Sequence, residues 1–206
     1  VDFLIDYYLG PAGPDTVLVP VAPLTNIAVA LLRQPQLARR IPQIVLMGGA
    51  YTEGNTTPSA EFNIYADPEA ARIVFQAGIP LKMVGLEVTR QALVTPADAD
   101  RILSYPTPGA AVAGPLIHEE VDWFVRKFGA AAGQVYDACA VAAVIEPAIL
   151  HTRPARCDIE LSGELTRGRT VCDFGYQFRG VAANVDVGVG INRDRFVAIL
   201  DEAFGG

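Results

Sequence analysis

The sequence predicts an α/β fold built on an open, mostly parallel sheet with helices on both faces. Short β-branched or aliphatic runs alternate with longer segments of helical period, the pattern of successive βα units. The boundaries between them carry capping residues, prolines and glycines where helices start and stop. At 206 residues, 51% hydrophobic and 19% charged, the chain is large and apolar enough to build a core. One α/β domain over residues 1–206 is the expectation.

Val1 to Leu9 reads as an amphipathic helix, with Phe3, Leu4, Tyr7 and Tyr8 on one side and Gly10 at its end. No strand precedes it, so earlier βα units are expected to be missing. Val17 to Val21 and Ile44 to Met47 read as strands, and Leu24, Ile27, Ala28 and Leu31 between them recur at helical spacing before Pro35. Together they predict one βαβ crossover. Asp67 caps and Pro68 opens a second helix, whose face is Ala71, Val74 and Phe75 and whose stop is Gly78.

Leu81 to Val84 is a third strand, and Thr95-Pro96 starts a helix running to about Leu103. The Pro, Gly and Ala of Tyr105 to Gly114 suggest a connection, after which Ile117 to Phe128 resumes a helix. Ala138 to Ile145 is helical and ends at Pro147. Ile159 to Leu161, Val171 to Phe174 and Val185 to Ile191 read as strands, and a last helix runs from Asp194.

A net charge of -7 and a pI near 4.8 oppose non-specific binding of nucleic acid or anionic membrane, both of which require clustered Lys and Arg. A small-molecule partner is favoured. The longest apolar runs, such as Ala138 to Ile145, fall short of the roughly 20 residues that span a bilayer. Cys139, Cys157 and Cys172 form no CxxC pair and read as reduced, buried thiols. With no signal-like start in view, a cytoplasmic protein is expected.

Gly48 to Asn55 follows a strand directly, the position at which parallel sheets bind ligands, but it matches no phosphate-loop pattern and reads as a turn. Glu61-Phe62-Asn63 joins an acid, a ring and an amide, groups that suit a polyol, but taken alone they read first as a solvated loop with one core Phe. Asp137 precedes a helix and reads first as an N-cap, with a metal ligand as the sharper alternative, since calcium needs roughly six to eight oxygens from several groups. His118 and His151 lack a nucleophile or an HxxxH partner, and Trp123 reads as core.

Several motifs combine into a resemblance. Val-Ala-Pro-Leu-Thr-Asn-Ile-Ala at 21–28, Val-Leu-Met-Gly-Gly at 45–49 and Ala-Glu-Phe-Asn-Ile at 60–64 resemble the inosine-uridine preferring nucleoside hydrolase family. Asp-Pro-Glu-Ala-Ala at 67–71, Met-Val-Gly-Leu-Glu-Val-Thr at 83–89 and Leu-Thr-Arg-Gly-Arg-Thr-Val at 165–171 match in the same order. The resemblance spans essentially the whole chain. It implies hydrolysis of the N-glycosidic bond of ribonucleosides on a Rossmann-like sheet, assisted by a bound Ca2+, in a homo-oligomer (dimer or tetramer).

By the same resemblance Asp137 and the backbone carbonyl of Val21 are calcium ligands. Asn55, Glu61 and Asn63 contact ribose hydroxyls, Phe62 lies against the sugar and Met47 lines the pocket. Three departures from the family pattern stand out. Ala22 replaces the usual Gly, which strains the turn if that position needs positive φ. Tyr136 replaces the His that protonates the departing base, and a phenol with pKa near about 10 is a weaker acid at neutral pH. The opening Asp-x-Asp-Pro-Gly-x-Asp-Asp signature, source of most calcium carboxylates and the general base, does not occur in this sequence. The chain alone is therefore expected to be inactive, and the alternative to an enzyme is a catalytically dead nucleoside- or ribose-binding relative.

Overall fold

A computed structural model describes residues 1–177 and 180–206. They form two compact units, Val1–Glu87 with Thr152–Val189 and Val88–His151 with Gly190–Gly206.

The first unit carries most of a five-stranded sheet. Its elements in chain order are α1 (Asp2–Leu9), α2 (Thr25–Arg33), β1 (Ile44–Met47), α3 (Phe62–Ala66), α4 (Pro68–Phe75) and β2 (Leu81–Val84). Helix α5 (Leu86–Thr89) then leads into the second unit, whose strands β3 (Leu93–Val94) and β4 (Gly133–Gln134) enclose helices α6 (Pro96–Leu103) and α7 (Pro108–Phe128). Helix α8 (Tyr136–Ile145) precedes β5 (Leu150–Ile159), β6 (Thr170–Asp173), β7 (Val185–Ile191) and α9 (Arg193–Gly205).

The sheet order is β1-β2-β7-β5-β6. Strands β1, β2 and β7 run parallel, with Met47 level with Val84, while β5 and β6 form an antiparallel ribbon. Ile44, Leu46, Met83, Val187 and Cys157 are buried in one cluster with Leu24, Ile64 and Val74 of the helices. Every residue of β1 is buried, as expected of a parallel strand covered on both faces. Asp67 caps α4 through the Ala70 amide at 3.0 Å, as its place before Pro68 predicts.

Four expectations need correction. Val17 to Val21 is not a full strand: only a parallel bridge joins Leu18 to Ile44. The Leu18 amide donates to Gln43, and the Val45 and Met47 amides donate to Leu18 and Pro20, but Pro20 has no N–H to continue the ladder. Ile159 to Leu161 is not a separate strand, because Ile159 ends the ten-residue β5, which also contains His151. Tyr105 to Gly114 is not all connection. Thr107 caps the Ala110 amide and Pro108 occupies the first turn, so α7 starts there and runs 21 residues through Pro115. Gly114 permits this packing, since a Cβ would lie 2.9 Å from the Leu103 Cα. Finally, α8 begins at Tyr136 with Val135 at its N-cap, so Asp137 lies in the first turn and caps nothing.

In the second unit, Thr95 and Asp98 form a reciprocal capping box at the start of α6. Burial pushes the Asp98 carboxyl up, but hydrogen bonds from Thr95 and Arg101 and the charge of Arg193 outweigh it and hold the pKa at about 2, below the ordinary 3.8. A carboxyl depressed on folding contributes stability that is complete above its unfolded pKa and is lost as pH falls through the folded one. Asp98 is only 10% exposed, so this amounts to about 2 kcal/mol. Asp98→Asn is expected to lower stability at neutral pH and to flatten the acid limb between 3.8 and about 2. Urea unfolding at a series of pH values measures it, and an unchanged limb would reject this assignment.

Candidate functional site

Parallel sheets present ligand-binding loops at the carboxyl ends of their strands. At that end of β1, the Gly48 amide donates to Val84 and the Gly49 carbonyl accepts from Leu86, tying the loop to the end of β2. Gly49 has φ +80°, and a Cβ there would lie 2.8 Å from the Met83 sulfur and 2.9 Å from the Thr170 hydroxyl, so glycine is required on both counts.

Two buried carboxylates shape the loop. Glu61 accepts from the Gly49 amide at 2.9 Å, from Asn63 at 2.9 Å and from Ile64 at 3.2 Å. It is at once the N-cap of α3 and the anchor of the glycine turn, and it is 2% exposed. The solvated-loop reading of this segment therefore fails. Because Glu61 takes the Gly49 N–H, that amide cannot cradle a phosphate, in keeping with a plain turn. Glu87, after β2, accepts from the Tyr51 and Thr52 amides and from the Thr52 hydroxyl at 3.0, 2.7 and 2.6 Å. Sequence reading gave Glu87 no role. Its signal was an acid three residues past the end of a parallel strand.

Asn63 donates through Nδ2 to the Met47 carbonyl at 3.0 Å, and its Oδ1 has no hydrogen-bond partner among the described residues. Asn55 Oδ1 accepts from the Phe62 amide at 3.0 Å, which closes the 55–62 loop. Phe62 is 56% exposed, whereas Met47 is buried. Val21 follows Pro20, whose carbonyl accepts from Met47, and the Val21 carbonyl makes no hydrogen bond among the described residues. Thus Val21, Met47, Asn55, Glu61, Phe62 and Asn63 gather around the carboxyl end of β1. No described non-glycine residue has positive φ, so Ala22 is not strained.

Tyr136 and Asp137 belong to the second unit, on the first turn of α8. The Tyr136 ring lies 6.3 Å from that of Phe124. Desolvation raises the pKa of Asp137, although its edge is exposed to solvent. Among the described residues no group of three or more His, Cys, Asp or Glu could hold a metal. The resemblance assigns only Asp137 and the Val21 carbonyl as donors, two oxygens where calcium takes roughly six to eight. His118 lies 3.2 Å from Asp100 on the surface of α7.

Residues 1–198 match the sequence model of the inosine-uridine preferring nucleoside hydrolases. The chain belongs to this family. It is 40% identical over its full length to a putative pyrimidine-specific ribonucleoside hydrolase RihB of Shigella boydii serotype 4, covering 84% of that protein. It is also 40% identical to the pyrimidine-specific ribonucleoside hydrolase RihB of Escherichia coli O17:K52:H18, of which it spans 65%. Among solved structures, the purine-preferring ribonucleoside hydrolase from Gardnerella vaginalis superposes over 100% of this chain and 65% of its own, with TM-score 0.90 and 33% identity. A plant nucleoside hydrolase, PpNRh1, also gives TM-score 0.90 at 26% identity, with 66% of its chain covered. This nucleoside hydrolase chain thus has the family's mixed, mostly parallel sheet. No described helix is long and apolar enough to cross a membrane.

Proposed function

We propose that this chain is part of an enzyme that hydrolyses the N-glycosidic bond of ribonucleosides, giving ribose and free base. The observation that carries the reading is Asn63: the family resemblance assigns a ribose contact there, and its buried amide is held by Met47 with Oδ1 left unpartnered among the described residues. Asn55 and Asn63 are assigned to ribose hydroxyls, Phe62 to the sugar's apolar side and Met47 to the pocket wall. Glu61 is assigned a hydroxyl as well, beside its structural duty. Tyr136 is assigned to protonating the departing base.

Calcium ligation by Asp137 and the Val21 carbonyl is proposed on the family resemblance, with further oxygens needed beyond those in this chain. When bound, such an ion supplies charge to hold and polarise water. The relatives are named for both pyrimidine and purine preference, so the proposed substrate is the ribonucleoside class. A cytoplasmic homo-oligomer, dimer or tetramer, is the proposed setting, and neither nucleic acid nor membrane is proposed as a partner.

The test uses inosine and uridine with calcium added. The 206-residue chain is expected to show no turnover, whereas a chimera carrying a relative's acidic opening motif is expected to turn over ribonucleosides and to lose most kcat/KM on Asn63→Ala. Chelator-sensitive turnover by the chain alone would refute the claim of too few donors. A folded, calcium-binding chimera inert toward all ribonucleosides would refute the hydrolase reading.

A further inference from the structure

Cys157 on β5 and Cys172 on β6 stand directly opposite each other, their sulfurs 3.0 Å apart. Both are free thiols. Facing residues of an antiparallel pair alternate between hydrogen-bonded sites and closer, non-hydrogen-bonded ones. The partners of Cys157 decide which kind this is. Its amide donates to Asn184 Oδ1 at 2.7 Å, and its carbonyl accepts from Asn184 Nδ2 at 2.9 Å. Both backbone groups thus point away from β6. Three residues further on, an odd step that reverses the facing, Glu160 does turn its amide toward this ribbon, donating to Arg169 at 3.0 Å. Cys157 and Cys172 therefore occupy a non-hydrogen-bonded site, where Cα atoms approach to roughly 4.5 Å. Disulfides span Cα separations of roughly 4.4–6.8 Å, so the bond fits without backbone movement.

We propose that Cys157 and Cys172 form a reversible cross-strand disulfide when the protein meets hydrogen peroxide, making the pair an oxidation site. Cys157 is fully buried and Cys172 half-buried, which sets the order of events. Cys172 loses its proton to solvent and its sulfur attacks the peroxide. An S–O bond forms, the O–O bond breaks, and the hydroxide released takes up a proton to become water. The Cys157 sulfur then attacks the Cys172 sulfenic sulfur, forming S–S and breaking S–O, and the departing hydroxide takes the Cys157 proton. In sum, two thiols and one peroxide give a disulfide and two waters. Cys139 is buried on α8 in the second unit and takes no part.

The ribbon that would be stapled supports the loop at the candidate site. Arg169 donates to the Tyr51 carbonyl at 3.3 Å, Thr170 abuts Gly49, and the Tyr51 ring meets Phe174 edge to face. Oxidation fixes the base of that wall and leaves the candidate substrate residues untouched.

The test treats the full chain with peroxide, alkylates remaining thiols and digests it without reduction. The expected product is a linked peptide pair joining Cys157 to Cys172, two hydrogens lighter than the reduced pair, with Cys139 still alkylated. The melting temperature should rise by several degrees and return on adding dithiothreitol, and Cys172→Ser should abolish both effects. The peptide map of the unmodified sequence stands alone if the variant folds poorly. Sulfinic acid on Cys172 with Cys157 still free, links to Cys139 or between molecules, or thiols that all remain alkylatable would each overturn the proposal.

Discussion

Glu61→Ala is expected to destabilise the chain by about 3–6 kcal/mol. The carboxylate accepts three backbone N–H groups, from Gly49, Asn63 and Ile64, and Ala leaves them unpaired in a site from which water is nearly excluded. Each orphaned buried donor costs roughly 1–3 kcal/mol, and the total is a large part of the stability of a typical domain. Glu61→Gln keeps one acceptor oxygen but turns an NH2 toward the other donors, so roughly half the loss is expected. Urea unfolding measures both. A loss below about 1 kcal/mol for the Ala variant would show that the cap is dispensable and that Glu61 is present for substrate alone. The two duties separate experimentally, because a purely substrate-contacting Glu61 would alter kcat/KM in the chimera without moving the unfolding midpoint.

In the same chimera, Tyr136→His is expected to raise kcat/KM on purine nucleosides by a factor approaching about 100, the lower end of what a positioned general acid contributes. An imidazole with an ordinary pKa near about 6.5 is a better donor at neutral pH than a phenol near about 10. p-Nitrophenyl riboside carries a leaving group that needs little protonation, and it should respond far less. The ratio of the two changes is the informative quantity, since altered folding or metal content cancels from it. An unchanged ratio would place Tyr136 in a packing role beside Phe124 rather than at the leaving group.

The parts of the fold that were legible in the sequence are those written locally. Ile44–Met47 is a continuous apolar strand, Leu81–Val84 and Val185–Ile191 are apolar strands each broken by one charged residue, Lys82 and Asp186, and Asp67-Pro68 and Thr95-Pro96 mark helix starts with a cap and a fixed φ. The misreadings come from residues whose local preference yields to packing. Strand β5 was hidden because His151 to Pro154 are all exposed and Pro154 discourages a strand assignment. The start of α7 was hidden by Gly109, Gly114 and Pro115, and Gly114 serves the close approach of Leu103.

At the site, Glu61 and Asn63 suited a sugar by residue type, and Asn55 joined them only through the family resemblance. The sequence did not reveal that Glu61 holds the Gly49 turn, because that contact spans 12 positions in sequence. Asn184 was invisible for the same reason. Its partners, Cys157 and Phe75, lie 27 and 109 positions away, and nothing around Asn184 marks it as a surrogate strand residue.

Pro20 has a consequence on the opposite side of its own segment. Leu18 and Pro20 face β1, so the backbone groups of the alternating residues Val17, Val19 and Val21 point outward, and none makes a backbone hydrogen bond among the described residues. A row of unsatisfied donors and acceptors flanked by β-branched side chains is a template for any extended segment laid alongside it. The proline interrupts pairing inward and does nothing to blunt the outward edge. Handled by itself at high concentration, the chain presents that edge as backbone open to pairing, and a charged residue in place of Val19 is a simple way to dull it.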